Sequence, residues 1–558
     1  MPQAVIARER KNRLRRDPAG RRRIPFPNGR TRCNDSPAAG PRIDPATSVS
    51  ARSLAAVGRL IEGRSLTDAP LDPSTGSGRL WKRLFARKSV ALVQSQFQGE
   101  ELHRHLGPLN LTSLGVGCII GAGIFVITGQ AAAAHAGPAI VLSFIIAGFV
   151  CAFAGLCYAE LASVLPVSGS AYTYAYTVLG EIIAWVMGLL LVLEYGLAAS
   201  TVAVGWSGYV VSFLADFGVH IPPELAAPTG SAVTLADGTT TTAIANLPAL
   251  LGVAGVTGLL VLGVSESARA NNFFVVLKVA VLVAFIVIGF FYVDRANWTP
   301  FIPPHQGGDE FGLQGVFRAA SIIFFAYVGF EAVSTAAAEA KNPQRDLPIG
   351  IIGSLGISTA LYMLTALVLT GIVPFTLLAV PDPMATAVDA IGLGWFSFFI
   401  KAGAILGLSS VMLVLLYGQT RIFYTMGKDG LLPPLFSRLH SRRKTPWMNT
   451  VIVGGAVAAA AATTPIKVLG DLVSLGTLAA FAMVCISVMY LRKSHPELHR
   501  PFKVPFYPLT PILGVLTCGF LIIQMPIHNF LLIGSYLVVG LGVYFLYGLR
   551  NSRISRDV

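Results

Sequence analysis

Charge is scarce in this chain. Only 13% of its residues are Asp, Glu, Lys or Arg, while 54% are hydrophobic and the mean hydropathy is +0.65. A soluble protein of 558 residues would need far more charged surface, so the composition excludes that class and indicates a polytopic membrane protein. Cysteine is sparse as well. Cys33 lies in the N-terminal tail, and Cys118, Cys151, Cys157, Cys485 and Cys518 fall in apolar runs, so neither a disulfide framework nor metal-ligand spacing is present. The chain also lacks H-E-x-x-H, a P-loop and a Ser/His/Asp set, and most of its nine histidines lie in loops or tails. An enzyme, a cofactor or a bound metal therefore finds no support.

What is present is a series of apolar runs, at 111–133, 138–165, 181–212, 247–265, 270–293, 315–340, 347–373, 394–424, 449–465, 469–491, 510–527 and 529–549. Each is long enough to cross a hydrocarbon layer of about 30 Å as a helix. The net charge of +14 is carried almost wholly by residues 1–90, which hold 20 Lys/Arg against 7 Asp/Glu. Residues 1–80 have no apolar period and read as a disordered basic extension, and 81–110 as a cytoplasmic lead-in. Attraction of this tail to anionic lipid is open. Nucleic acid is not expected as a partner, because aromatic interleaving is nearly absent.

Basic residues in the links give the orientation. The even-numbered links carry Arg269, Lys341, Arg345, Lys428, Arg438, Arg442, Arg443, Lys444, Arg492, Lys493, Arg500 and Lys503, whereas the opposite links have only Arg295 and Lys467. The positive-inside rule then places both termini, including the tail 550–558, in the cytoplasm.

Two spans are interrupted. The first carries "GAGIF" at 121–125, and the sixth carries "FFAYVGFEAVST" at 324–335, with Gly329 and Glu331 mid-span. Gly117 and Gly121 also form a G-x-x-x-G, so close helix packing is one explanation for the first. Five spans separate the two interruptions, and an odd number per half inverts the second half in the membrane. Matched breaks in inverted repeats are the best sequence pointer to a midplane transport site. A broken helix offers amides at one half-helix end and carbonyls at the other, which suits a zwitterion with adjacent carboxylate and ammonium groups.

The stretches "LGVGCIIGAGIFVITG", "YAELASVLPVSGSAYTYAY", "LEYGLAASTVAVGWSGY", "FFAYVGFEAVSTAAAEAKNPQRDLPIGI" and "YGQTRIFYTMGKDGLLP" resemble amino acid permeases of the amino acid–polyamine–organocation superfamily, in particular bacterial members of the cationic amino acid transporter family. The resemblance implies an all-α, LeuT-like 5+5 inverted repeat. The first repeat would be 111–293, the second 315–491, with two further helices over 510–549, giving twelve in all. It implies import of L-amino acids across a bacterial inner membrane by proton symport and alternating access, without a resident cofactor. It further implies that Gly121, Ala122 and Gly123 bind the substrate carboxylate and that carbonyls of Ile119, Phe325, Ala326 and Val328 take its ammonium. Relatives often have Thr or Ser where this chain has Ala122, which removes a hydroxyl and keeps the amide.

Lys278 sits in the inner third of span five, where a charge is expensive. On position alone it either snorkels to the interface or faces the interior. The resemblance favours a lysine whose ammonium takes the place of a sodium ion and carries the coupling proton. Glu194 is a second candidate titratable group, and Glu331 could stand at the edge of the cavity. Tyr327 and Phe330 could gate or line the pocket. Glu160 reads as solvated or structural, and Lys401 as a snorkelling side chain. "PVSGSAYTYAY" (166–176) is expected to form a short in-plane helix. A polyamine carrier or exchanger, and an amino-acid sensor that does not transport, remain open. No ancillary subunit is expected, because the 213–246 link has no cysteine to tether one.

Overall fold

The computed structural model describes residues 76–89, 106–166, 169–235, 238–263, 268–443 and 445–554, all within one unit spanning Pro70–Val558. The extension expected over 1–80 therefore lies outside the described residues, except for 76–80, which begin the first helix. Most of the 90–110 part of the lead-in and residues 555–558 are outside them too.

The described chain is almost entirely helical. In order, the helices are α1 (Gly76–Leu84), α2 (Pro108–Ile119), α3 (the consecutive turns Gly123–Ile127, Thr128–Ala131 and Ala132–Ala136), α4 (Ile140–Val164), α5 (Ser170–Val178), α6 (Glu181–Ala215), α7 (Leu247–Leu262), α8 (Ala268–Phe290), α9 (Gly312–Ile323), α10 (Ala332–Thr335), α11 (Pro343–Ile372), α12 (Pro383–Ala390), α13 (Gly394–Lys428), α14 (Trp447–Thr463), α15 (Ile466–Ser494), α16 (Leu509–Ile523) and α17 (Ile527–Asn551). One small hairpin, β1 (Ala232–Thr234) against β2 (Thr240–Thr242), decorates the long link between α6 and α7, with Val233 opposite Thr241.

Among the described residues, eight helical stretches are long and apolar enough to cross a membrane; α2, α7, α14 and α16 are shorter apolar helices. Continuous apolar sequence is what closes these helices on themselves, since a backbone in lipid must satisfy its own hydrogen bonds. Burial grades them. The Gly312–Thr335 stretch is buried almost throughout its most apolar part and so forms the centre, whereas most of the corresponding part of Ile527–Asn551 is not buried and lies at the rim. Around that centre α11 packs on α2 and α4, α13 on α6, and α15 on α16. Helix α5 is only nine residues long, too short to span, and is buried throughout.

Two charged residues near the helix ends, Lys401 and Glu160, are ion-paired. Lys401 does not snorkel: it is 4% exposed, and its ammonium meets Asp216 at 2.9 Å and Asp389 at 3.7 Å, joining the start of α13 to the end of α6 and to α12. Glu160, at the end of α4, is 1% exposed. Its carboxylate accepts from Arg492 Nε at 2.8 Å and from the Val504 amide at 2.7 Å, with Arg500 Nε 3.6 Å away. It therefore clamps α4 to α15 and to the link that leads into α16.

That clamp is testable by denaturation in detergent. Arg492→Ala should cost about 3–5 kcal/mol, because it strands a buried carboxylate. Adding Glu160→Ala should restore part of the loss; a double variant no more stable than Arg492→Ala alone would refute the pairing.

Candidate functional site

The first predicted interruption is real and narrower than its sequence suggested. Helix α2 ends at Ile119, Ile120 and Gly121 are non-helical, and the chain resumes as a π-helical turn at Gly123–Ile127. The sixth span breaks more completely. After α9 the chain tightens to a 3₁₀ turn at Phe324–Tyr327, then turns through Val328–Glu331, and regains only the single turn α10.

The two breaks touch. A Cβ on Gly123 would lie 2.4 Å from the Ala326 Cα, so the backbones meet there with no room for a side chain. Gly329 has φ of +119°, and a Cβ on it would come within 2.9 Å of the Cys118 carbonyl carbon. Glycine is required at both positions, once by close approach and once also by conformation.

The freed backbone groups have partners. Lys278, 1% exposed, points inward from α8 and donates to the Gly117 carbonyl at 2.6 Å and to the Ile120 carbonyl at 3.3 Å. Its ammonium thus rests on the C-terminal, electronegative end of α2. The Tyr362 hydroxyl, from α11, lies 2.7 Å from the Ile119 carbonyl and 3.0 Å from the Ala326 carbonyl, bridging both broken helices. Glu331 is wholly buried, not at a cavity edge, and its carboxylate accepts the Gly329 amide at 2.9 Å, capping the second break. The Gly121–Gly123 amides start the resumed helix, where N–H groups have no intrahelical carbonyl.

Between the breaks is a cavity of about 10 Å³. That is room for no more than a water molecule. Of the residues proposed to bind substrate, Ile119, Gly121, Ala122, Gly123, Phe325 and Val328 line it. Ala326 does not; it stands behind Gly123. The opposite wall is apolar, from Ala198 and Val202 on α6 and Val411 and Leu415 on α13, with Cys118 at one side. These wall residues were not singled out from the sequence. Each pair is spaced i, i+4, so the signal was one stripe of a helix face, indistinguishable from ordinary core. Tyr362 was missed as well.

Other candidates lie elsewhere. The Tyr327 hydroxyl donates to the Phe144 carbonyl at 3.0 Å and the ring packs on Phe144 and Tyr362, while Phe330 packs edge-on against Tyr158. Neither lines the cavity, because both side chains point into the interface with α4. Glu194, wholly buried in a π turn of α6, lies within reach of the Glu331 carboxyl. Among the described residues no group of three or more His, Cys, Asp and Glu could hold a metal ion.

Two ion-pair clusters stand near the chain ends of these helices. Lys88 meets both Asp429 oxygens, at 2.7 and 2.6 Å, and Tyr172 donates to the same carboxylate at 2.8 Å, tying the lead-in to α5 and the end of α13. Arg318, 1% exposed in the middle of α9, bonds Asp471 near the start of α15 at 2.6 Å, and Asn529 donates to the same Asp471 oxygen at 3.1 Å.

Comparison with known proteins gives this architecture a context. The family model described as "Amino acid permease" matches residues 106–540. The methylthioribose transporter of Bacillus subtilis (strain 168) is 44% identical over 473 residues, covering 85% of this chain and 99% of that protein. The branched-chain amino acid permease BcaP of the same organism is 44% identical over 475 residues, with the same coverage. The vacuolar cationic amino acid transporter 4 of Arabidopsis thaliana is 38% identical over 409 residues, 73% of this chain and 66% of that protein.

The contact between the breaks separates two similar substitutions. A Cβ at Gly121 meets only the Val411 side chain, at 3.3 Å, whereas one at Gly123 meets backbone. Gly123→Ala should therefore lower stability by about 1–3 kcal/mol, and Gly121→Ala by clearly less. Thermal unfolding of the two purified variants tests this, and equal losses would contradict it. Tyr362→Phe should remove the one hydroxyl proton shared between two buried carbonyls and cost about 1–3 kcal/mol, read in the same assay.

Proposed function

The chain belongs to the amino acid permease family, and from that membership we propose that it is a secondary active transporter importing L-amino acids by proton symport. The observation that carries the proposal is the pair of touching helix breaks, with amides of one half-helix and carbonyls of another facing one small cavity. The Gly121, Ala122 and Gly123 amides hold the substrate carboxylate. The ammonium is taken by carbonyls of Ile119, Phe325 and Val328, which line the cavity; Ala326 stands behind Gly123 and is left out of this set. The Ile119 carbonyl already shares the single Tyr362 hydroxyl proton, and Phe325 accepts the Val328 amide at 3.1 Å. A carbonyl has a second lone pair, so substrate joins these contacts and need not displace them.

Substrate class follows from the far wall. Ala198, Val202, Val411 and Leu415 offer a side chain aliphatic contact and no counter-ion. A small neutral amino acid fits that wall, in line with the cargo named for the branched-chain relative. A cationic one would leave its charge unpaired.

Lys278 is the coupling group. An ammonium that holds the end of α2 through the Gly117 and Ile120 carbonyls releases it on losing its proton, which links protonation to movement of the first helix. The Glu194 carboxyl, wholly buried in the π turn of α6 near Glu331, is the second candidate proton site. The arrangement is a LeuT-like 5+5 inverted repeat of twelve crossings, with α2 and α3 together as the first, α7, α14 and α16 as short ones, and both termini cytoplasmic. The described conformation is closed around a cavity smaller than any amino acid, so transport requires opening on either side. The Lys88–Asp429 and Arg318–Asp471 clusters are the contacts that part as the inner and outer sides open.

Proteoliposomes test this. Labelled leucine or isoleucine should accumulate when the outside is acidified and not when a sodium gradient alone is imposed. Arginine should compete at least about tenfold more weakly, and Lys278→Met should abolish gradient-driven uptake. Uptake that follows sodium would refute the coupling. Accumulation of methylthioribose without amino acid uptake would refute the substrate, and binding without counterflow would leave a sensor.

A further inference from the structure

A larger cavity lies away from the helix breaks. It measures about 1030 Å³ and opens between Pro166, just beyond α4, the first turns of α11, and Pro501–Phe502 in the link before α16. Its rim carries Lys341 and Arg345, both exposed, and among the described residues neither makes an ion pair. The neighbouring acid, Asp346, is 3% exposed and turned inward, with its carboxylate accepting the Asn342 amide at 3.1 Å. The rim is therefore cationic.

Below the rim the cavity changes character. Ile349 and Ile352 line it and are 42% and 40% exposed. With Arg345 they stand at i, i+4 and i+7 on α11, one continuous stripe in which charge at the helix end gives way to aliphatic surface. The stripe continues past Gly356, where a Cβ would meet nothing within 4 Å, beside the 47% exposed Ile357. The track is thus open along the membrane-crossing part of α11.

We propose that this cavity binds an anionic phospholipid, its phosphate between Lys341 and Arg345 and an acyl chain along Ile349, Ile352 and the open track at Gly356. Charge complementarity supplies the head-group contact, and basic pockets between membrane helices are suited to such heads. The aliphatic stripe distinguishes a lipid from a soluble anion, which would use the rim and leave the track empty. The leaflet involved, the cytoplasmic one, rests on the orientation proposed above; the site does not. Because the cavity joins α11 to the α4 end and the α16 link, a bound lipid also holds three elements together.

The test uses delipidated full-length protein in detergent, with thermal unfolding and native mass spectrometry as readouts, neither of which requires transport. Added phosphatidylglycerol should raise the melting midpoint about 4 °C more than phosphatidylcholine does, and should be retained in the gas phase. K341Q/R345Q should abolish that preference. G356L adds a side chain whose Cβ meets nothing within 4 Å, and it should weaken phosphatidylglycerol retention about tenfold without lowering the lipid-free midpoint. Equal shifts with the two lipids would overturn the proposal, as would a preference that survives K341Q/R345Q. Inorganic phosphate or glycerol phosphate reproducing the shift would overturn it in favour of a soluble anion.

Discussion

Inside an apolar layer a backbone amide or carbonyl has no water to turn to, and an unsatisfied one costs several kcal/mol. Two helices at the centre of this protein nevertheless stop there. Most of the surrounding arrangement can be understood as the set of groups that makes those stops tolerable. Lys278 donates to two carbonyls at the end of α2, the single Tyr362 hydroxyl proton is shared between a third there and one on the second broken helix, and Glu331 accepts the Gly329 amide. Each of these side chains is fully buried or nearly so. Each is therefore tied to the breaks by the cost of leaving it unpaired there.

The same constraint explains the glycines. A half-helix end can meet another only if no Cβ stands between them, and the Gly123–Ala326 and Gly329–Cys118 approaches are of that kind. Ala122, which lies between Gly121 and Gly123, does not need to be glycine because its side chain faces α6 beside Gly205 and not the other break.

Much of this was legible in the sequence, for physical reasons. Apolar runs specify helices in lipid, glycine and a charge in mid-run specify interruptions, and both breaks fall where "GAGIF" and "YVGFE" put them. The extent of each break was not legible. The first is only two residues wide because a π turn takes up the rest, and hydropathy is blind to helix pitch. Tyr362 was hidden since it lies 36 residues beyond Ala326 on a run that reads as plain membrane helix. The ion pairs were hidden for a similar reason: Lys88 and Asp429 are 341 residues apart, and Glu160 and Arg492 are 332 apart. Pairing over such separations is set by packing, and Lys401 was misread because a lone lysine near a helix end cannot announce its partner.

What the breaks touch also bears on how a transporter of this build would move. Tyr362 and the Gly123–Ala326 contact fasten α3, the second broken helix and α11 to one another through hydrogen bonds and backbone contact. Across the cavity, α6 and α13 present Ala198, Val202, Val411 and Leu415, which make dispersion contacts alone and can part without stranding a polar group. On this account the fastened helices move as a body against α6 and α13. Few hydrogen bonds tie that body to its surroundings at the cavity. Tyr209 of α6 donates to the Phe125 carbonyl at 2.7 Å, and Lys278 of α8 holds the end of α2. Of the two only the lysine can release its acceptors by losing a proton. A lysine that holds a half-helix end in this way is the group through which the proton symport proposed above would reach the first helix.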